Sequence, residues 1–231
     1  MSIFNRQNVL LVGFVTTLFS ATAQRIDVQF GAALPNSNFG NTELTKSENA
    51  FAKTGYTTGL QADYLVYKNI GLTAKLNYSA FDFNVTNYQN QLNQNPSSTT
   101  LISVESNGGY TSTSAMVGGF MTFKKNKLNV DIRIMTGFLT LKDYGLAYTT
   151  SYSGQTYNQR AFSQQDATIA FGWGLTARYT LIHNFGISIN LDNIYANTSF
   201  NKNAYQSSSN ETTNKPYQAY LLSVGLGYTL E

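Results

Sequence analysis

The sequence predicts an all-β protein, an eight-stranded up-and-down antiparallel β-barrel, on three observations. The 231 residues are rich in Gly, Tyr and Phe and contain 3 Pro and 1 Trp, a composition that favours strands over helices. Eight segments alternate apolar and polar residues with a period of two, which is typical of a strand with one apolar face. The connections between these segments are alternately short and long, as expected for an antiparallel meander.

Residues 1–23 precede the first strand and have the pattern of a signal peptide. One positive charge, Arg6, is followed by an apolar run at residues 9–15 and by the small residues at 21–23, as in a cleaved secretory signal. The apolar run of about ten residues is too short for a spanning helix, which needs roughly 20. We therefore expect an exported protein whose barrel domain is residues 24–231.

The first three strands are predicted at residues 26–34, 59–66 and 70–79, where apolar residues hold the even-numbered positions. The fourth, at about residues 110–124, has a weaker pattern because Met116 and Phe120 compete with the apolar residues of the other parity.

The last four strands are predicted at residues 128–138, 168–179, 185–192 and 220–230, each with one apolar parity and one polar or small parity. No amphipathic helix is predicted between any of the eight strands.

The predicted connections are short near residues 68–69, 124–127 and 182–184. They are long at about 36–55, 82–109, 143–166 and 197–216. An even number of strands places both termini at the end with the short turns. Two further strands within residues 82–109 and 143–166 would make ten strands instead of eight.

The polar faces of the strands indicate a packed interior. They consist mostly of Gly, Ala, Ser, Thr and Asn, with four acidic and three basic residues, a near balance that suits buried ion pairs. We predict a lumen ion-pair network of Asp27, Asp63, Lys75, Asp131, Arg133, Arg178 and Asp192.

The apolar faces carry no charged residue, as a surface facing hydrocarbon requires. A tilted strand of about ten residues rises about 23 Å, close to the roughly 25 Å apolar band of an outer-membrane barrel. Aromatic residues on these faces cluster next to the short turns. They predict a periplasmic aromatic girdle of Tyr64, Phe123, Tyr179, Phe185 and Tyr228.

The signal peptide, the meander and the closing strand at residues 220–231 together resemble the small eight-stranded outer-membrane β-barrels, the OmpA transmembrane-domain and OmpX-like group. The sequence is most similar to the outer-membrane β-barrel proteins of Bacteroidetes-type bacteria. The resemblance covers residues 24–231 and implies a bacterial outer-membrane location, in contact with outer-membrane lipid and lipopolysaccharide. The chain ends in Leu230 and Glu231, where the commoner family pattern ends in an aromatic residue.

The residue content argues against catalysis. The chain has no Cys and one His, His183, which falls in a predicted turn, so thiol, Ser–His and paired-His metal chemistry lack their residues. We predict no enzymatic activity, no metal site and no cofactor. A net charge of +3 is too small and too dispersed to indicate a nucleic-acid partner.

We predict that any specific interaction of this protein is made by the long loops. They combine polar residues with Tyr, as in Tyr144, Tyr148, Tyr152 and Tyr157, a mixture found in binding surfaces. The leading hypothesis is therefore envelope support combined with surface interaction or adhesion through the loops, with an unidentified extracellular partner. The alternatives are a narrow channel for small solutes and a soluble secreted lipocalin-like carrier, whose apolar face would point inward.

Overall fold

The computed structural model describes residues 25–43, 49–94, 100–106, 108–143, 145–152, 155–160, 163–201 and 212–230. The predicted signal peptide, residues 1–23, lies outside them. The strands in chain order are β1 (Arg25–Pro35), β2 (Gly55–Tyr67), β3 (Ile70–Phe81), β4 (Thr100–Ser106), β5 (Tyr110–Lys125), β6 (Leu128–Asp143), β7 (Leu146–Tyr152), β8 (Gln155–Arg160), β9 (Gln164–Ile182), β10 (Phe185–Asn201) and β11 (Thr212–Thr229). The helices are α1 (Ser37–Gly40) and α2 (Val85–Gln94). Neither of these described helices is long and apolar enough to cross a membrane.

Eight strands close into one antiparallel barrel in the order β1-β2-β3-β5-β6-β9-β10-β11. Closure occurs at β1, which pairs with β2 on one side and with β11 on the other, so that Arg25 lies opposite both Asp63 and Thr229. Every strand pairs with its nearest barrel neighbours in the chain. The predicted eight-stranded up-and-down antiparallel barrel is confirmed.

Three two-residue turns, Lys68–Asn69, Asn126–Lys127 and His183–Asn184, occupy one end of the barrel, here called the turn end. The first residue of each turn has a positive φ, between 43° and 55°. The carbonyl of the second residue accepts a hydrogen bond from the amide of a following strand. The donors are Thr122 for Asn69 (2.8 Å), Thr180 for Lys127 (2.9 Å) and Thr229 for Asn184 (2.8 Å). Each hairpin is therefore tied to the next at the turn end.

The opposite end, here called the loop end, carries secondary structure that the alternation pattern did not predict. Residues 82–109 and 143–166 do contain extra strands, but β4, β7 and β8 form a separate three-stranded antiparallel sheet. The barrel therefore has eight strands and not ten. The prediction of no helix was wrong, since α2 lies before β4. Its apolar residues, Val85, Tyr88 and Leu92, have the spacing of one helix face, but they are only three in a sequence of Asn, Gln and Thr.

The predicted long connection at residues 197–216 is shortened by strand pairing at both of its ends. β10 and β11 pair as far as Asn201 opposite Thr212, within the stretch 197–216 that was expected to be a loop. Polar residues occupy both faces of this extension, so it lacks the alternation from which strands were recognised.

The apolar parity of the barrel strands points outward and the polar parity points inward. Ile134 on β6 is 73% exposed and Leu226 on β11 is 70% exposed, and each of the other barrel strands also exposes large apolar side chains. On β5, whose phase was ambiguous, Met116 and Phe120 are buried, whereas Val117, Met121 and Phe123 point outward.

Candidate functional site

The interior next to the turn end is occupied by a cluster of ions around Arg178, here called the lower cluster. The Arg178 Nη2 atom lies 3.0 Å from Asp27 Oδ2 and 3.1 Å from Asp63 Oδ2, and Nη1 contacts Asp131 Oδ2. Arg25 adds a second cation, with Nε 3.1 Å from Asp27 Oδ2. Two guanidinium groups thus neutralise two of the three carboxylates, and all three carboxylates are buried.

A second group of ions, the upper cluster, surrounds Asp192 of β10. Its Oδ2 lies 2.5 Å from Lys75 Nζ, and its Oδ1 lies 2.8 Å from Arg133 Nη2. The Arg133 Nη1 donates to Thr176 Oγ1 at 2.5 Å, and that hydroxyl donates to Asn190 Oδ1 at 2.7 Å. Buried cations without such partners would be strongly destabilising.

The structure brings all seven predicted lumen residues into these two clusters and adds Arg25. Sequence reasoning left Arg25 out because it was placed before the first strand. The signal was present, since Arg25 shares the inward parity of Asp27. With Arg25, the clusters hold four carboxylates and four cations. The lower cluster is formally −1 and the upper cluster +1, so the formal charges of the two clusters sum to zero.

Glycines make room for these large side chains on neighbouring strands. A Cβ atom at Gly174 would lie 2.1 Å from Asp192 Oδ1 and 2.5 Å from Arg133 Nε. A Cβ at Gly227 would lie 2.1 Å from Asp27 Oδ1. Gly174 and Gly227 therefore leave the space that the neighbouring ion pairs occupy.

The interior changes from charged to apolar towards the loop end. On β6 the inward residues run from Asp131 and Arg133 to Met135, Leu139 and Leu141, and all five are buried. The same change occurs on β10, from Asp192 to Ile194, and on β11, from Ser223 to Leu221. Sequence reasoning missed this apolar layer because it assigned one polarity to each face for the whole length of a strand.

Phe39 of α1 covers the apolar layer on the side of the loop end. Its ring is fully buried, with centroids 4.9 Å from Tyr217, 5.1 Å from Phe81 and 5.3 Å from Tyr110. The first long connection is held in place over the barrel by the Tyr110 hydroxyl, which donates to the Ala50 carbonyl at 2.8 Å. We call Phe39 and these three rings the aromatic plug.

Little space is left between the layers. A gap between the upper cluster and the apolar layer, lined by Gln29, Asn77, Asp192 and Leu221 among others, does not accommodate a water molecule. Within the described residues, charged pairs and the aromatic plug thus fill the barrel in series along its axis.

The five aromatic residues predicted to form a girdle are all exposed on the outer surface near the turn end, at 40–61%. The rings of Phe185 and Tyr228 are 4.9 Å apart. In the described strands, outward positions carry a charge only at strand ends, at Lys125 and Lys142. A soluble lipocalin-like carrier requires the apolar parity to point inward, and the structure has it outward.

Asn193 is a buried polar residue at an outward position of the barrel. Asn193 of β10 pairs with Trp173 and Tyr220, whose rings are 6.3 Å apart. Asn193 is 6% exposed, and its Nδ2 has no hydrogen-bond partner among the described residues. Sequence reasoning gave this position no role.

The other predicted sites are less fully described. His183 is exposed in its turn. Tyr144 lies outside the described residues, as do the side chains of Tyr148, Tyr152 and Tyr157. Backbone pairing places the last three in the sheet of β4, β7 and β8. A surface role for these tyrosines stays a prediction.

Several solved bacterial structures are similar to this chain. Neisserial surface protein A has 12% identity and a TM-score of 0.47, covering 89% of this chain and 96% of that one. A major outer membrane protein from Thermus thermophilus has 10% identity and a TM-score of 0.45, covering 89% and 99%. The attachment invasion locus protein Ail of Yersinia pestis, solved with the heparin analogue sucrose octasulfate, has 14% identity and a TM-score of 0.42, covering 88% and 98%.

At such identities and TM-scores, no function is carried over from them to this chain. No protein-family model matches the sequence, and no curated protein matches it either.

Proposed function

We propose that this protein is a non-enzymatic integral barrel of the bacterial outer membrane, which supports the envelope and presents its loop end to the medium for surface interaction. The observation that carries the proposal is the inverted polarity of the barrel. Apolar side chains cover its outside and buried ion pairs fill its inside. A soluble monomer rarely exposes a continuous apolar patch of more than a few hundred Å².

The dimensions of the apolar face support a membrane location. On β6, the outward residues run from Leu128 to Phe138, a span of ten residues that rises about 23 Å along the barrel axis at a tilt of about 45°. This matches the roughly 25 Å apolar band of outer-membrane barrels. The aromatic residues at the turn end occupy the height of a membrane interface.

The filled interior favours a scaffold over a channel. An eight-stranded barrel is just wide enough for side chains to fill. Here the lower cluster, the upper cluster and the aromatic plug follow one another along the axis. A solute path would require breaking buried ion pairs and displacing Phe39, at a cost of several kcal/mol.

The loop end is the surface proposed to interact. It combines the sheet of β4, β7 and β8 with helix α2 and with the paired extension of β10 and β11. Backbone pairing gives these connections a defined shape, which lowers the entropy lost when a partner binds. The proposed partner is an extracellular molecule.

The test is to express the full chain, purify it from the membrane fraction in detergent and record its conductance in a planar lipid bilayer. We expect a β-type circular dichroism spectrum, a gel mobility that changes on heating, and no discrete openings. Recovery in the soluble periplasmic fraction would refute the membrane proposal. Steady unitary conductance from the folded barrel would refute the scaffold in favour of a channel.

A further inference from the structure

We propose that the turn end carries a binding surface for anionic phospholipid headgroups, formed by Lys68, Lys124, Lys125 and Lys127. This inference rests on the proposed membrane location and specifies which lipid the turn end selects. The four residues are here called the lysine patch. All four are exposed.

The lysine patch is assembled from two neighbouring hairpins. Lys68 belongs to the turn between β2 and β3, and the other three belong to the end of β5 and the turn that follows. β3 and β5 are paired, and the Asn69 carbonyl accepts a hydrogen bond from the Thr122 amide at 2.8 Å. The backbone thereby fixes lysines that are more than 50 positions apart in sequence on one side of the turn end.

Among the described residues of the turn end, the exposed positive charge is not compensated by an exposed acidic residue. In the described part of the chain, the exposed acidic residues are Glu43, Asp82 and Glu105, and all three lie in the loop-end connections. Asp27, Asp63 and Asp131 are nearest to the turns, but they are buried and paired with Arg178. The described turn end therefore presents exposed positive charge without exposed negative charge.

The position of the lysines relative to the apolar face favours a lipid as the partner over a macromolecule in the periplasm. Lys125 has the same outward parity as Phe123, which is 52% exposed, and lies two residues beyond it. At a strand tilt of about 45° this is about 5 Å further along the axis, which is headgroup height next to an interfacial ring. Lys68 follows Tyr67, which is 62% exposed, and its Nζ lies 5.1 Å from the centre of that ring.

A long lysine side chain can lay its methylenes along an apolar surface while its ammonium stays at the interface. Phosphatidylglycerol offers a negative phosphate at that height, whereas a zwitterionic headgroup has no net charge. Attraction of about 1 kcal/mol per lysine near an anionic surface corresponds to roughly a fivefold preference, and the effect is screened by salt.

The test measures lipid selectivity at the protein surface. The full chain, purified from membranes, is reconstituted into phosphatidylcholine vesicles with trace spin-labelled phosphatidylglycerol or spin-labelled phosphatidylcholine. Electron spin resonance then gives the motionally restricted fraction of each probe. We expect the phosphatidylglycerol probe to associate about fivefold or more strongly than the phosphatidylcholine probe in low salt, and nearly equally in 1 M NaCl.

Lysine substitutions test which residues cause the preference for phosphatidylglycerol. Replacing all four lysines of the patch by Gln should bring the preference close to one. Lys125→Gln alone should lower it measurably, and the matched loop-end control Lys53→Gln should leave it unchanged. Heat-dependent gel mobility checks that each variant is folded, and the single Lys125→Gln variant covers the case in which the fourfold variant does not fold.

The outcomes separate this inference from the proposed function. A chain that does not enter vesicles refutes both. A chain that inserts but shows no preference for phosphatidylglycerol, or keeps that preference without the lysine patch, refutes the lipid surface and leaves the barrel proposal intact. Unchanged lipid selectivity together with lysine-dependent sedimentation on isolated peptidoglycan would assign the patch to the cell wall instead.

Discussion

Arg178 holds three buried carboxylates together, so its removal is the most informative perturbation of the interior. The substitution Arg178→Met keeps a long apolar side chain and deletes the charge. Asp27 would keep Arg25 as a partner, but Asp63 and Asp131 would have no cation in contact. The formal charge of the lower cluster would change from −1 to −2 in a buried environment.

The expected cost follows from the loss of buried partners. Removing one member of a buried ion pair destabilises a protein by about 3–5 kcal/mol, because the remaining charge stays buried without compensation. Three contacts share one guanidinium and are not additive, so we expect the free energy of unfolding to fall by at least about 3 kcal/mol. Adding Asp63→Asn and Asp131→Asn leaves the single pair Arg25–Asp27 and should restore at least half of the loss.

The assay is urea unfolding of the refolded barrel in detergent micelles, followed by tryptophan fluorescence. The chain has one tryptophan, Trp173, which is 43% exposed on the outer face and reports transfer from an apolar surrounding to water. Lys53→Gln is the control for loss of an exposed charge. The proposed role of Arg178 is wrong if the free energy of unfolding of Arg178→Met lies within about 0.5 kcal/mol of that of the control. It is also wrong if the triple variant, with Asp63→Asn and Asp131→Asn added, is less stable than Arg178→Met alone.

Three further perturbations test the outer face and the aromatic plug. Ile134→Lys, at the middle of the apolar face, should lower the free energy of unfolding in a lipid bilayer by about 2–4 kcal/mol, whereas Ile134→Ala should lower it by less. Equal losses for the two variants on unfolding in vesicles would contradict a lipid-facing position. Phe39→Ala should lower the free energy of unfolding by about 3–5 kcal/mol because it removes a fully buried ring, and Phe39→Leu should lower it by less. If urea titration shows no loss of stability for Phe39→Ala, the aromatic plug does not stabilise the barrel. Asn193→Leu should raise the free energy of unfolding by about 1 kcal/mol because it deletes a buried amide nitrogen without a partner among the described residues. Asn197→Leu, on the exposed part of the same face, is the control, and a loss of stability of Asn193→Leu on urea unfolding would mean that this nitrogen is satisfied.

The barrel was predictable because polarity alternates along most of its strands. On β1, Val28 and Phe30 face outward while Asp27 and Gln29 face inward, and a one-residue shift in pairing would reverse all four. Seven of the eight charged residues of the two clusters followed from the same parity. Arg25 was missed only because the strand was started one residue too late.

The apolar layer could not be found by this reasoning. Beyond Met135 on β6, large apolar residues occur on both parities, for example Phe138 outward and Leu139 inward. Local alternation then carries no information about which face is inside. The facing follows instead from the unbroken pairing of β6 with β5 and β9, which continues the parity of Asp131 and Arg133. The burial of Phe39 depends on α1, a single turn of helix with no distinctive sequence pattern.

The secondary structure of the loop end was missed for a related reason. α2, β4, β7 and β8 are rich in Asn, Gln, Ser and Thr, so few apolar residues mark their helix and strand periodicities. Their structure depends on pairing between segments far apart in sequence, such as Val104 of β4 opposite Tyr148 of β7. Such pairings are tertiary contacts and leave no signal in a short window of sequence.

The central claim is that the apolar parity of the barrel faces lipid, and site-directed spin labelling tests it most directly. The chain contains no cysteine, so single cysteines can be placed and labelled at outward positions of β6 without other changes: Val130, Ile132, Ile134, Thr136, Phe138 and Lys142. In reconstituted vesicles, the account predicts high accessibility to oxygen and low accessibility to a water-soluble nickel reagent, with the largest contrast near Ile134 and a reversal at Lys142. Uniform accessibility to the nickel reagent along β6 would contradict the account.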